Sequence, residues 1–482
     1  MRVLEHAALA ALEISGFALM RRAAAAALAS LRRHWPQAGR IAIFCGSGNN
    51  GGDGFLLGVL AREAGLMVDM IELGSDPHGD AALAREEWRR TGGEIRAWHA
   101  GLELPDAQVL VDALFGIGLN RAIEGTAAEL VTWINHDGRP VLAIDVPSGL
   151  DADSGTCAGV AISAAVTVTF IAAKRGLHSG HAADHVGTIE LAGLGVPDRV
   201  FAATPADASL LSAATLPRRS RYTNKGDNGH VLVIGGDHGM AGAIRLAGES
   251  ALRTGAGLVS IATRTDHVTA LNAGRPELMA HGVDGPQALH ALLERASVLA
   301  VGPGLGHGAW GHALWLTALD SRQPLVLDAD GLNLLAREPR RFDFPVVLTP
   351  HPGEAARLLQ RSIPDIEKDR FAAVREIARR YRAVVVLKGS GSLVADPDGR
   401  LDVCPWGNPG MASGGMGDLL TGVIAALLGQ GGTAWQAACM GVGLHARAGD
   451  LAAAAGERGL IASDLLQPLH ALVNAIEDAA HA

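Results

Sequence analysis

Two periodicities alternate along this chain. Short apolar runs recur, each followed by glycine or oxygen-bearing residues and then by a stretch whose apolar positions repeat at helical spacing. In the first half the runs fall at 41–45, 67–73, 109–113, 141–146 and 166–170, with helices predicted over 55–64, 81–92 and 124–135. In the second half they fall at 231–236, 255–262, 298–301, 324–327, 345–348 and 383–387, with a helix predicted over 243–253. Strands alternating with helices specify mainly parallel sheets, hence an α/β fold class. Residues 1–33 read as one helix, because Leu4, Leu9, Leu12, Leu19 and Leu28 keep near-helical spacing.

A chain of 482 residues is too long for one ordinary domain. The pattern changes over 197–221, where Pro197, Pro205 and Pro217 precede Arg218-Arg219-Ser220-Arg221, so a linker is expected there and domains over 1–213 and 218–482. With 48% hydrophobic residues, 62 glycines and 4% aromatics, the composition suits alanine- and valine-rich α/β packing. The net charge of -9 leaves no basic patch for a nucleic-acid partner. Glu5, Glu13, Arg21 and Arg22 interrupt the early alanine run, which therefore reads neither as a leader nor as a membrane span. Cys45, Cys157, Cys404 and Cys439 are too scattered for a zinc site or a disulfide framework. A cytoplasmic location without a membrane partner follows as the expectation.

Chemistry concentrates at the ends of the apolar runs. After 41–45 comes Gly46-Ser47-Gly48-Asn49-Asn50-Gly51-Gly52-Asp53-Gly54, a glycine-rich turn before a helix, which is a phosphate or nucleotide corner of a doubly wound sheet. It lacks the dinucleotide fingerprint, and Asn49, Asn50 and Asp53 could simply cap the turn. Asp112 and Asp145 end two further runs and could face one pocket.

These three segments, with Val111-Asp112-Ala113-Leu114-Phe115-Gly116-Ile117-Gly118-Leu119 and Asp145-Val146-Pro147-Ser148-Gly149-Leu150-Asp151, resemble the NAD(P)H-hydrate epimerase domain family over residues 1–210. The resemblance implies a Rossmann-like three-layer αβα domain. It implies substrate contacts from Asn49, Asn50, Gly51, Gly52 and Asp53, and from Gly116, Ile117, Gly118, Leu119, Asn120, Arg121 and Ala122, with Asp145 also at the substrate. It further implies a potassium ion near Asn50, Asp112 and Ser148, all oxygen donors that suit a hard cation. Where the family usually has Ala-Gly, this chain reads Met20-Arg21-Arg22-Ala23-Ala24. Epimerisation needs an acid/base group beside carbon six of the hydrate, for which Asp145 is the candidate.

In the second half the strand ends carry Gly302-Pro303-Gly304-Leu305-Gly306, Asp328-Ala329-Asp330-Gly331, Thr349-Pro350-His351-Pro352-Gly353-Glu354 and Lys388-Gly389-Ser390-Gly391-Ser392. They converge on one sheet edge if the strands are parallel. The run Asn408-Pro409-Gly410-Met411-Ala412-Ser413-Gly414-Gly415-Met416-Gly417-Asp418 leads into apolar 419–428, placing bare backbone N–H groups and a carboxylate at a helix start. No glycine loop ends in Lys-Ser/Thr, which excludes a P-loop.

These segments resemble the ADP-dependent NAD(P)H-hydrate dehydratase family of the ribokinase-like superfamily over residues 218–478, with Ser392 and Ser413 where the family more often has Thr. The resemblance implies a ribokinase-like αβα domain in which Ala256, Gly306, His351 and Asp418 contact the hydrate. Lys388, Gly389, Ser390, Gly391, Ser392 and Gly417 would hold ADP, with magnesium. Asp418 is the expected catalytic base, taking the hydrate's hydroxyl proton as that oxygen attacks the terminal phosphoryl group of ADP. Both halves in this order match a bifunctional repair protein acting on hydrated NADH and NADPH, expected as a homo-oligomer. A small-molecule kinase using the second half alone and a non-catalytic nucleotide sensor are the alternatives. The first half's own Asn/Asp constellation argues against the kinase, and the intact Asp145 and Asp418 argue against the sensor.

Overall fold

The computed structural model describes the chain except for residues 75, 103–105, 120, 214 and 475–482. Two compact units, Met1–Ala206 and Asp207–Ala482, divide it. The stretch read as a linker is partly structured. It gives the helix Asp198–Ala203 to the first unit and the short strand Ser209–Leu210 to the second.

The first unit holds seven parallel strands: β1 Arg40–Cys45, β2 Met67–Glu72, β3 Ile95–Ala97, β4 Val109–Ala113, β5 Val141–Ile144, β6 Val166–Phe170 and β7 Thr188–Ala192. Their order is β3-β2-β1-β4-β5-β6-β7. The period of two is visible in β1, where Ile41, Ile43 and Cys45 enter one core layer and Ala42 and Phe44 the other. Residues 1–33 form two helices, Arg2–Leu12 and Gly16–His34, bent by 104°. Glu13 turns left-handed at φ 55° and the Ser15 hydroxyl then caps Ala18 N at 3.2 Å, so the leucine spacing spans a break. The next helix runs Asn49–Glu63, starting at Asn49 rather than at 55, so the Asn-Asn-Gly-Gly-Asp run forms its opening turns. Glycine is required there by close approach: a Cβ on Gly52 would lie 2.7 Å from Met20 Sδ and 3.0 Å from Ala81 Cα.

The second unit contains β8 Ser209–Leu210, β9 His230–Ile234, β10 Leu258–Thr263, β11 Met279–Gly282, β12 Val298–Val301, β13 Leu325–Leu327, β14 Val346–Leu348, β15 Val384–Leu387, β16 Leu393–Ala395 and β17 Leu401–Val403. The sheet order is β11-β10-β9-β12-β13-β14-β15-β16-β17-β8, parallel from β11 to β15, with β16 antiparallel to both neighbours. Val231 and Val233 face one apolar layer and Leu232 and Ile234 the other, so both faces are covered. The helix Met416–Gly429 is buried along most of its length and packs on Ala241–Thr254. Gly422 lets the two backbones meet, and Ser250 Oγ donates to Leu419 O at 2.8 Å. That contact fixes the depth at which Asp418, in the first turn, is presented. Among the described residues no single helix is long and apolar enough to cross a membrane.

Candidate active sites

In the first unit the strand order reverses between β1 and β4, which opens a crevice at the carboxyl ends of the strands. A cavity of about 600 Å³ occupies it. Asn49, Asn50 and Asp53 line it from the helix after β1, and Gly116, Ile117, Gly118, Leu119 and Arg121 line it from the loop after β4. Asp145 follows β5 and Lys174 follows β6. Gly51 and Gly52 are absorbed in packing instead, Ala122 sits beside Gly159, and Asn120 lies outside the described residues.

Asp112 is fully buried and accepts Leu114 N at 3.2 Å, Ser148 N at 2.8 Å and Ser148 Oγ at 2.6 Å. Burial outweighs these bonds and pushes its pKa up to about 6. Phe115 N donates to Ser148 Oγ at 2.9 Å, and the adjacent Gly116 packs on Asn50. Among the described residues neither buried amide atom of Asn50 has a hydrogen-bond partner, a rare arrangement for an amide.

Asp145 adopts a left-handed backbone, φ 67°. Lys174 Nζ donates to Asp145 Oδ1 at 2.6 Å and to Phe170 O at 2.8 Å. Asp53 is pushed well above the usual carboxylate range by burial, reinforced by the charges of Asp145 and Glu5.

The second site lies at the carboxyl ends of β13, β14 and β15. Lys388 Nζ donates to Asp328 Oδ1 at 2.7 Å and lies 3.8 Å from Glu354 Oε2, while Thr421 Oγ1 donates to Asp328 Oδ2 at 2.8 Å. Burial works against the Lys388 charge, but Asp328 and Glu354 outweigh it and raise its pKa. Burial pushes Glu354 up to about 7, and burial reinforced by Asp328 does the same to Asp418. A Cβ on Gly417 would sit 3.1 Å from Lys388 Nζ, so glycine lets the lysine lie alongside the loop.

The Asn408-to-Asp418 run is pinned from below. Asp450 receives Gly407 N at 3.0 Å and Asn408 Nδ2 at 2.9 Å, and Ser413 Oγ donates to Leu460 O at 3.1 Å. Gly415, at φ 92°, precedes the helix Met416–Gly429 without a side-chain cap, which leaves the first-turn amides for an anion. In the 388–392 turn, Ser392 Oγ donates to Gly389 O at 3.1 Å and so closes the turn itself, while Ser390 is exposed. Gly389 (φ 141°) and Gly391 (φ 60°) supply conformations that other residues resist.

His351 caps the helix Pro352–Leu359, its Nδ1 accepting Gly353 N at 3.0 Å while Glu354 Oε2 accepts His351 N at 2.7 Å. Burial, with Lys388 nearby, lowers its pKa. Gly306 follows β12 and donates its N–H to Asp330 Oδ2 at 2.8 Å. Ala256 does not join this cluster. It precedes β10, with its N–H on Ala251 O at 3.0 Å, at the amino-terminal edge of the sheet. A larger groove of about 880 Å³ opens at that edge beside Gly255 and Gln430, away from Asp328, His351 and Lys388. Sequence reasoning assigned no role to Lys174, Asp328, Glu354 or Thr421. Asp328 and Lys174 stand at a strand end or in the following loop and Glu354 in the first turn of the next helix, where a charged residue among small residues is a readable signal.

Residues 16–176 match the profile of the YjeF-related protein N-terminus, and residues 231–470 that of NAD(P)H-hydrate dehydratase. The chain is 46% identical over 469 residues to the bifunctional NAD(P)H-hydrate repair enzyme of Coxiella burnetii, covering 96% of each chain. The chain belongs to the bifunctional NAD(P)H-hydrate repair enzyme family. A repair enzyme of the same description from Escherichia coli is 43% identical, with 98% of this chain and 92% of that one aligned. The ADP/ATP-dependent NAD(P)H-hydrate dehydratase of Bacillus subtilis, co-crystallised with ATP/Mg2+, is 30% identical with a TM-score of 0.51, covering 55% of this chain and 97% of that one. A ribokinase-like superfamily protein of Enterococcus faecalis is 28% identical with the same TM-score of 0.51, covering 55% of this chain and 95% of that one. In this repair-enzyme chain each family profile falls within one compact unit, the second having the ribokinase-like fold.

Proposed function

We propose that this chain repairs hydrated NADH and NADPH, the first unit interconverting the R and S hydrates and the second dehydrating the S hydrate at the expense of ADP, giving AMP and phosphate. The observation that carries the reading is the pairing, within one family member, of a cavity holding Asp145 with a separate uncapped helix start holding Asp418.

In the second unit Asp418 is the base. Burial poises it near neutrality, so it can take the hydroxyl proton as that oxygen attacks the terminal phosphoryl group of ADP. The first-turn amides and the 388–392 turn supply the fixed donors that this charge needs. Lys388 acts here already paired to Asp328, and Gly306 and His351 border the hydrate. Phosphate then leaves under the push of the ring-nitrogen lone pair, and loss of the carbon-five proton restores the dihydronicotinamide. Among the described residues no cluster of three acids is arranged to hold a metal by itself, and both Asp328 oxygens are committed to Lys388 and Thr421, so a magnesium ion would arrive with the nucleotide and Glu354 would help hold it. When bound, that ion supplies positive charge to the phosphates.

In the first unit Asn49, Asn50, Asp53, Arg121, Asp145 and the glycine-rich loop after β4 border the hydrate. The orphaned Asn50 amide and a buried Asp112 carboxylate that, among the described residues, is bonded by neutral groups alone fit a potassium ion, with Ser148 as a further oxygen. Such an ion would neutralise Asp112 and give Asn50 Oδ1 a partner.

The deciding assay incubates purified protein with both hydrate epimers and ADP or ATP and follows the return of dihydronicotinamide absorbance. Recovery of all the hydrate with ADP supports the reading, and no recovery with either nucleotide overturns it. The same reading has the protein as a homo-oligomer in the cytoplasm, which light scattering and cell fractionation check.

A further inference from the structure

We infer that Lys174 is a positioning residue that holds Asp145 as the proton acceptor of epimerisation, with Asp53 as its proton-donating counterpart across the same cavity. The inference rests on the epimerase reading of the first unit and adds the division of labour within it.

Geometry separates the two carboxyl groups. The Lys174 side chain is 3% exposed, and an ammonium withdrawn so far from water is costly unless a counter-charge and acceptors satisfy it. Its ammonium is committed to one oxygen, Asp145 Oδ1, and to the Phe170 carbonyl. Phe170 N at 3.3 Å and Thr169 Oγ1 at 3.4 Å converge on the same Oδ1. Among the described bonds none reaches Oδ2, and Asp145 lines the cavity, so one oxygen is anchored and the other is left for substrate. The left-handed backbone at φ 67° aims the group and is tolerated because the surroundings over-determine it.

Among the described residues no cation is in contact with Asp53. The charges that face it are Glu5 from the first helix, Asp145 after β5 and Lys174 after β6, and Arg2, Asp80 and Arg121 also line the cavity. Asp145 is in direct contact with the Lys174 ammonium, whereas burial and the charges of Asp145 and Glu5 favour the protonated form of Asp53. Asp53 then carries the proton.

The hydrate is a hemiaminal at carbon six, and its ring can open without any redox partner. Asp145 takes the hydroxyl proton, the C6=O bond forms, and the C6–N1 bond breaks with its electron pair going to N1. Asp53 gives N1 its proton. After the aldehyde turns, the N1 pair attacks its other face, Asp53 recovers the N–H proton, and Asp145 returns its proton to the oxygen. Both carboxyl groups end as they began, so the cycle balances.

The test uses the full chain and follows R-to-S exchange by chromatography, with ADP-dependent dehydration of pure S hydrate as an internal check that the protein is intact. Lys174→Met is expected to lower kcat for exchange about 100-fold with KM within about threefold, because Asp145 Oδ1 loses the anchor that turns the carboxylate toward substrate. Lys174→Arg should restore part of the rate. Asp53→Asn should lower kcat to a similar degree and remove the alkaline limb. A Lys174→Met protein whose kcat stays at the wild-type value, whose loss is confined to KM, or whose rate Lys174→Arg does not partly restore, overturns the inference. If Lys174→Met does not fold, Asp53→Asn decides, and undiminished exchange there also overturns it. Failure of the wild-type protein to exchange epimers would instead remove the epimerase reading itself.

Discussion

Lys174 and Lys388 both follow the last residues of a parallel strand and both are largely removed from water, yet their company differs. Lys174 binds a single carboxylate and a backbone carbonyl inside a lined cavity. Lys388 binds Asp328 with Glu354 close by and lies within the field of Asp418, and two of those three acids are raised to about 7. A one-to-one pair fixes one ionised group and suits proton exchange that returns to its starting state. An excess of acids leaves negative charge unspent, which suits a cation-bearing nucleotide and a base near neutrality.

The sharpest way to break that comparison is Asp418→Asn. Dehydration should fall by about 10²–10⁴-fold while epimer exchange keeps its wild-type rate. Loss of both activities would contradict two independent sites. Next in size is Lys388→Met, which strands Asp328 in the interior and should destabilise the second unit by about 3–5 kcal/mol, read by calorimetry of the full chain. The first-unit transition should not move.

The pH dependence of that transition has a definite sign. Burial works against the Asp328 charge, but the Lys388 charge together with the hydrogen bonds from Lys388, Thr421 and Thr349 holds it below its ordinary range, so its contribution is present above that range and lost as pH falls through the lower folded value. Glu354 and Asp418 are raised to about 7, so the folded state is favoured by their protonation and loses that contribution as pH rises through 7. From these three groups the second unit should melt highest at about pH 4–5, where Asp328 is ionised and Glu354 and Asp418 keep their protons only in the folded state, and its dehydration rate should fall as pH drops below about 7. Replacing potassium by a bulky quaternary ammonium should slow epimer exchange several-fold and lower the first-unit melting temperature, with dehydration unaffected. The smallest effect belongs to Gly417→Ala, whose methyl group meets Lys388 Nζ at 3.1 Å: nucleotide KM should rise a few-fold with kcat nearly intact.

Much of this was legible in the residues, and the failures have physical causes. The apolar runs located β1, β4, β9 and β12 because strands buried on both faces have no other composition available. Short strands such as β3 and β7, only partly buried, left no comparable run. The glycines at 51, 52 and 54 read as a turn because glycine disfavours helices, but contact with Met20, Ala81 and β1 overrode that propensity. Lys388 and His351 were singled out because chemistry at strand ends follows from a parallel sheet, and Asp418 because a glycine-rich run sets it at a helix start. Ala256 was carried in by resemblance alone, and its place before β10 takes it to the other edge. Lys174 went unassigned because nothing local announces that a lysine four residues past a strand will fold back onto Asp145.

The pair of residues Ser209–Leu210 has a practical corollary. It runs parallel to β17 and supplies the last strand of the second sheet, with Asp402 opposite Ser209 and Val403 opposite Leu210. A second unit produced from residue 218 onward would leave β17 as a bare margin, with unpaired N–H and C=O groups available to other chains. Such a fragment should self-associate and precipitate, whereas one cut between Ala206 and Asp207 keeps its margin covered.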